Sequence, residues 1–153
     1  GNYNNDNQLN TDDLDLLVEA ITTQGDLSSF DLNGDGTLDT DDLQSWLAIA
    51  GDAHLPNGAA YLLGDANLDG KVDGQDFVAW NEHKFTTLAT WSGGDFNADG
   101  LVDGDDFLIL DANLFRDARE PLAVPEPVVP VGWGVMVGAL WTAMVRNRCR
   151  KSF

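Results

Sequence analysis

One spacing of oxygen-bearing residues recurs along the chain. Asp31, Asn33, Asp35, Asp39 and Asp42 hold positions 1, 3, 5, 9 and 12 of a twelve-residue run that has Gly36 at position 6. The same types return as Asp65, Asn67, Asp69, Asp73 and Asp76 around Gly70, and as Asp95, Asn97, Asp99, Asp103 and Asp106 around Gly100. A degenerate copy opens the chain with Asn2, Asn4, Asp6, Asn10 and Asp13, and Asn7 stands in the glycine place. Successive runs start 29, 34 and 30 residues apart. Carboxylate and amide oxygens are hard donors. A loop that offers them at positions 1, 3, 5, 9 and 12, with a backbone carbonyl at position 7, wraps a cation that takes six to eight oxygens in flexible geometry, which is calcium. The position-7 carbonyls would come from Gln8, Thr37, Lys71 and Leu101. Three to four calcium ions are expected. Magnesium prefers strict octahedra and retained water, and zinc requires a Cys/His cluster that is absent.

These ligands need a sharp turn and a firm base. Position 6 calls for positive φ, which suits Gly and, next best, Asn. Position 8 is apolar in every copy (Leu9, Leu38, Val72, Val102), and in paired loops these residues are expected to meet in a short strand contact beneath the ions. After position 12 a helical apolar period follows: Leu14, Leu17, Val18 and Ile21; Leu43, Trp46, Leu47 and Ala50; Phe77, Trp80 and Phe85; Phe107, Leu110, Leu114 and Phe115. Such stripes read as core. The Asp residues before each helix can cap it and meet its dipole. None of the stretches before the loops (26–30, 51–64, 90–94) reads as an entering helix, so the repeat is loop, then helix. Asp-Gly and Asn-Gly are also ordinary turn formers, but three full copies, each followed by an amphipathic run, favour metal loops. The expected fold class is all-α.

The charge distribution agrees. The chain has 153 residues, 26 acids against 8 bases and a net charge of −18. Of the acids, 22 are Asp, and 14 of those fall on the ligand positions. A helical acidic face would favour Glu. Residues 1–120 carry a net −21 and residues 121–153 a net +3. Nucleic acid is excluded as a partner, because phosphate contacts need Lys and Arg. Cys149 is the only cysteine, which excludes a disulfide framework. The chain opens inside a motif, and we expect it to be the C-terminal part of a longer exported protein.

Calcium loops followed directly by helices, with Asp and not Glu at position 12, resemble the type I dockerin family. The resemblance spans two tandem pairs, residues 1–52 and 65–118, joined by a linker at 53–64. It implies antiparallel loop–helix repeats that fold around calcium. It also implies a cohesin-like or other cell-surface protein as partner, and an upstream carbohydrate-active domain engaged in polysaccharide breakdown, or an adhesive one. In the family, positions 10 and 11 carry recognition, often as a Ser-Thr pair. Here they are Thr11-Asp12, Thr40-Asp41, Gly74-Gln75 and Gly104-Asp105, a departure from that pattern.

The C-terminal region differs in kind. A Pro-rich stretch at 119–127 contains Val124, Pro125, Glu126 and Pro127. It leads into 18 uncharged residues at 128–145 and then a basic end at 146–153 with Arg146, Arg148, Arg150 and Lys151. As a helix, residues 128–145 would extend about 27 Å, near the roughly 30 Å hydrocarbon core of a bilayer. A transmembrane helix with the basic cluster in the cytoplasm is expected. The order of these elements resembles the PEP-CTERM sorting signal. That resemblance implies recognition by an exosortase, a transient inner-membrane anchor, and a destination at the cell surface or outer envelope of a bacterium.

No enzyme is expected. His54 and His83 stand apart from any nucleophile, and the carboxylates are largely committed to the loops. The rival reading is a calcium-rigidified spacer with no specific partner. A calcium sensor ranks below both, because Met136 and Met144, the only methionines, lie in the tail.

Overall fold

The computed structural model describes residues 1–87 and 90–120. The expected transmembrane helix at 128–145 and the sorting-signal residues Val124 to Lys151 lie outside the described residues.

Four helices follow the four loops: α1 (Thr11–Thr23), α3 (Thr40–His54), α4 (Gly74–His83) and α5 (Gly104–Asn113). Each begins at loop position 10, two residues before the end of the ligand pattern. The reason is a capping box at every start. The position-9 side chain accepts from the backbone N–H two residues on, and the position-12 Asp accepts from the position-9 N–H. Positions 9 and 12 therefore set the helix while they close the loop.

A one-turn helix, α2 (Leu27–Phe30), precedes the second loop, where no helix was expected. The Asp26 carboxylate starts it by accepting from the Ser28 N–H and from the Ser28 and Ser29 hydroxyls. A 3₁₀ turn at Pro56–Gly58 follows α3. Residues 53–64, read from the sequence as a linker, begin inside α3 and then lie against it. The Tyr61 N–H donates to the Leu47 carbonyl at 3.1 Å, and a Cβ on Gly51 would fall 2.3 Å from the Ala59 carbonyl oxygen.

The architecture is all-α. Among the described residues there is no strand, and only two isolated antiparallel bridges occur, Lys71 with Asp117 and Thr86 with Val102. The expected pairing of position-8 residues is corrected by these bridges. Val72 exchanges backbone hydrogen bonds with Phe115 and Arg116, just after α5, and Val102 does so with Phe85 and Thr86, just after α4. Each loop of the C-terminal pair thus holds the chain leaving the other loop's helix. Leu9 and Leu38 form no such bridge.

The core follows the apolar stripes unevenly. Leu14, Leu17, Val18 and Ile21 of α1, and Leu43, Trp46, Leu47 and Ala50 of α3, are all buried. Trp80 and Leu110 are buried in α4 and α5, but Phe77 is partly exposed, and Phe85 and Phe115 are 79% and 84% exposed. The helices end before those two residues, which take left-handed backbone at φ 65. Tyr61, Trp91 and Phe96, absent from the stripes, join the core. No helix among the described residues is long and apolar enough to cross a membrane.

Candidate metal centres

All four loops share one hydrogen-bond framework. The position-3 Asn accepts from the position-5 N–H: Asn4 from Asp6, Asn33 from Asp35, Asn67 from Asp69 and Asn97 from Asp99, at 2.8–3.0 Å. The position-5 Asp accepts from position 7: Asp6 from Gln8, Asp35 from Thr37, Asp69 from Lys71 and Asp99 from Leu101, at 2.8–2.9 Å. The position-9 side chains of Asn10, Asp39, Asp73 and Asp103 cap the helices, each at 2.8 Å. The position-12 carboxylates of Asp13, Asp42, Asp76 and Asp106 turn back to the N–H of position 2, at 2.6–2.8 Å.

At position 1, Asp31, Asp65 and Asp95 accept from the N–H of Gly36, Gly70 and Gly100 at 2.8–3.0 Å. Position 6 has positive φ in every loop, as expected. Position 4 does too, which the ligand spacing did not reveal: Asn5, Gly34, Leu68 and Ala98 all lie at φ between 56° and 77°. Leu68 and Ala98 hold this conformation without glycine's freedom, a cost the surrounding loop must offset.

The framework gathers charge that the protein does not balance. Asp13, Asp42, Asp65, Asp76, Asp95 and Asp106 are all buried, with at most 1% exposure. The ion pairs among the described residues, Lys71–Asp117 and Arg119–Asp117, involve none of them. Burial pushes the Asp65 and Asp95 carboxyls up to about 7, against the pull of the Gly70 and Gly100 N–H groups. Burial also raises Asp76 and Asp106, which backbone N–H bonds partly counter. Exposed Asp35 is lowered by the Thr37 hydroxyl and N–H. Asp117, outside the loops, is held down at about 2, chiefly by Arg119.

A buried carboxylate normally has a cationic partner. Here each has only N–H donors and keeps free lone pairs. The Asn2 side-chain oxygen, at position 1 of the first loop, is buried with no hydrogen-bond partner. The donors present are all hard oxygens, so the residues suit calcium better than magnesium or zinc. Among the described residues, no group of three or more His, Cys, Asp or Glu side chains converges into a metal-holding arrangement. The carboxylates face backbone N–H groups instead.

Two loop contacts were not legible from ligand spacing. The Trp91 indole N–H donates to the Asp65 carbonyl at 2.7 Å, and the Trp80 indole N–H to the Asp103 carbonyl at 2.8 Å. Tryptophan packing thus reaches position 1 of the third loop and position 9 of the fourth. Tyr3, at position 2 of the first loop, stacks on Phe30 with ring centroids 4.5 Å apart. Its hydroxyl is pushed up to about 12 by burial, then by Asp42 and Asp13. Of the two histidines, His54 Nδ1 lies 3.5 Å from the Tyr61 hydroxyl and His83 Nδ1 lies 2.9 Å from the Ala79 carbonyl, neither in a loop.

Comparison with protein-family models, with curated proteins and with solved structures returned no match.

Proposed function

We propose that residues 1–120 form a calcium-stabilised, dockerin-like interaction module at the C-terminal end of an exported bacterial protein. The observation that carries this reading is the set of six buried loop carboxylates that no basic side chain neutralises, repeated on one framework. Three to four calcium ions would supply the missing charge, and part of the folding free energy with it. The ligands would be the oxygens at positions 1, 3, 5, 7, 9 and 12 of each loop. The Pro125-Glu126-Pro127 motif and the basic end would mark the chain for exosortase processing from a transient inner-membrane anchor, with the cell surface or outer envelope as its destination. The module's task is tethering, with no catalytic step of its own. Its partner would be a cohesin-like or other surface protein.

A second reading, a calcium-rigidified spacer, is favoured by one observation. The Thr22 hydroxyl of α1 lies 3.2 Å from the Ala98 carbonyl of the fourth loop, 76 residues on, so the two pairs touch each other.

The first test is a calcium titration of the chelator-stripped chain, following heat release and far-UV circular dichroism together. Three or four ions bound, with helix gained, is the expected result. No binding would sink the proposal. Calcium-dependent capture of one surface protein then favours the module, and stiffening without capture favours the spacer.

A further inference from the structure

The sequence suggests two loop–helix pairs in tandem, but α1 of the first pair lies on the fourth loop of the second. Asp15 and Thr22 are seven residues apart, two turns along one face of α1. The Asp15 carboxylate accepts from the Ser92 N–H at 2.8 Å and from the Ser92 hydroxyl at 2.6 Å. The Thr22 hydroxyl shares its one proton between the Val18 carbonyl of its own helix at 2.9 Å and the Ala98 carbonyl at 3.2 Å. A Cβ on Gly100 would fall 2.6 Å from the Thr22 methyl carbon, so the fourth loop comes this close to α1 only because position 6 has no side chain.

The points of contact bear on loop order. Ser92 lies just before the fourth loop, Ala98 is its position 4 in left-handed backbone at φ 58, and Gly100 is its position 6 at φ 86. Ala98 and Gly100 stand between ligand positions, so an ion in that loop would hold their conformation, and Ser92 is tied to the loop through the intervening chain. At the other end, α1 grows directly from the first loop, where Asn10 and Asp13 form its capping box. Trp91, next to Ser92, is fully buried and hydrogen-bonded to Asp65 of the third loop. Residues Gly1–Pro121 accordingly form one compact unit.

We infer that Asp15 and Thr22 brace α1 on the fourth loop, so that ordering of this last loop stabilises the N-terminal helices and the four loops act as one cooperative unit. The trigger, a cation in the fourth loop, rests on the calcium reading above; the brace itself does not. Because coupling free energies are reciprocal, loss of the N-terminal helices would weaken cation binding at the fourth loop.

The test is hydrogen exchange of the full chain, read on peptides from α1 and α5. Asp99→Ala weakens the fourth loop at its exposed position 5, and Asp15→Ala/Thr22→Val removes the brace. In saturating calcium, Asp99→Ala should speed exchange in both α1 and α5. In the brace-less background it should speed exchange in α5 alone. The expected difference in α1 is about fivefold for each hydrogen bond lost, the equilibrium equivalent of one typical net hydrogen bond. An unchanged α1 in Asp99→Ala, or the same α1 response in both backgrounds, overturns the inference. If no loop binds calcium, the calcium reading fails separately, and the brace is judged in urea with chelator. There α1 and α5 should open at one midpoint in the native chain and at two in Asp15→Ala/Thr22→Val. Two midpoints in the native chain overturn it.

Discussion

The two loop pairs carry the same ligand pattern and are held together differently. In the N-terminal pair, helices of 13 and 15 residues bury their entire apolar stripes against each other, and the position-1 residues Asn2 and Asp31 stay half-buried. In the C-terminal pair the helices have 10 residues each, their stripes are partly exposed, and the position-1 residues Asp65 and Asp95 are fully buried. What the shorter helices lack, the loops supply: crossed backbone bridges at Val72 and Val102, and indole hydrogen bonds from Trp80 and Trp91. One pair rests on a fully buried helix–helix core, and the other joins a smaller, partly exposed helix contact, Trp80 on Phe107 with ring centroids 5.0 Å apart, to the bridges between its loops. One repeated ligand spacing therefore tolerates two different supports beneath it, and the second support buries more uncompensated charge.

The largest expected effect that bears on this contrast comes from Trp91. Its ring is fully buried, packs edge-on to Phe96 at 5.2 Å between centroids, and anchors the Asp65 carbonyl. Trp91→Ala should cost about 3–5 kcal/mol, read as a shift in the urea midpoint. A cost under about 1 kcal/mol would mean that the C-terminal pair does not depend on its loops.

A pH series sharpens the contrast next. The folded-state carboxyls of Asp65 and Asp95 sit at about 7, above their unfolded value. Between roughly pH 4 and 7 the folded chain therefore holds protons that the unfolded chain releases. In chelator, stability should fall as pH rises through that window. The high negative charge of the chain adds to the same trend. In excess calcium the slope should reverse, because protons then compete with the ion for the same oxygens. Thermal midpoints across this range decide it, and equal slopes in both media would break the link between buried carboxylates and metal.

The smallest expected effect lies at the helix exits. Phe85 is 79% exposed at φ 65, so its ring contributes little burial while its backbone is strained. Phe85→Gly should change stability by no more than about 1 kcal/mol, in the stabilising direction, since relief of left-handed strain is offset in part by glycine's entropy. A loss of more than about 1 kcal/mol, measured by denaturant titration, would show that the exposed ring supports the bridge to Val102.

The loops can be read straight from the order of residues. Ligand positions 1, 3, 5, 6, 9 and 12 are local, and each contact within a loop spans ten residues or fewer, so a periodic reading finds them. The four helices and most of the N-terminal core were legible for the same reason, because a 3.6-residue period is written into consecutive residues. The helices start three residues earlier than the reading placed them, because Asp39, Asp73 and Asp103 serve at once in the loop pattern and as caps. Three features emerge only in the packed chain: Phe85 and Phe115 leave the core, Val72 and Val102 pair with the opposite helix exit, and the Trp91 indole bonds to the third loop. The seating of α1 against the fourth loop emerges there too. Contacts such as Thr22 with Ala98 join residues 76 apart, and no local pattern encodes them. They arise when buried surfaces find complementary shapes, and here that shape depends on Gly100 leaving room for a threonine methyl group.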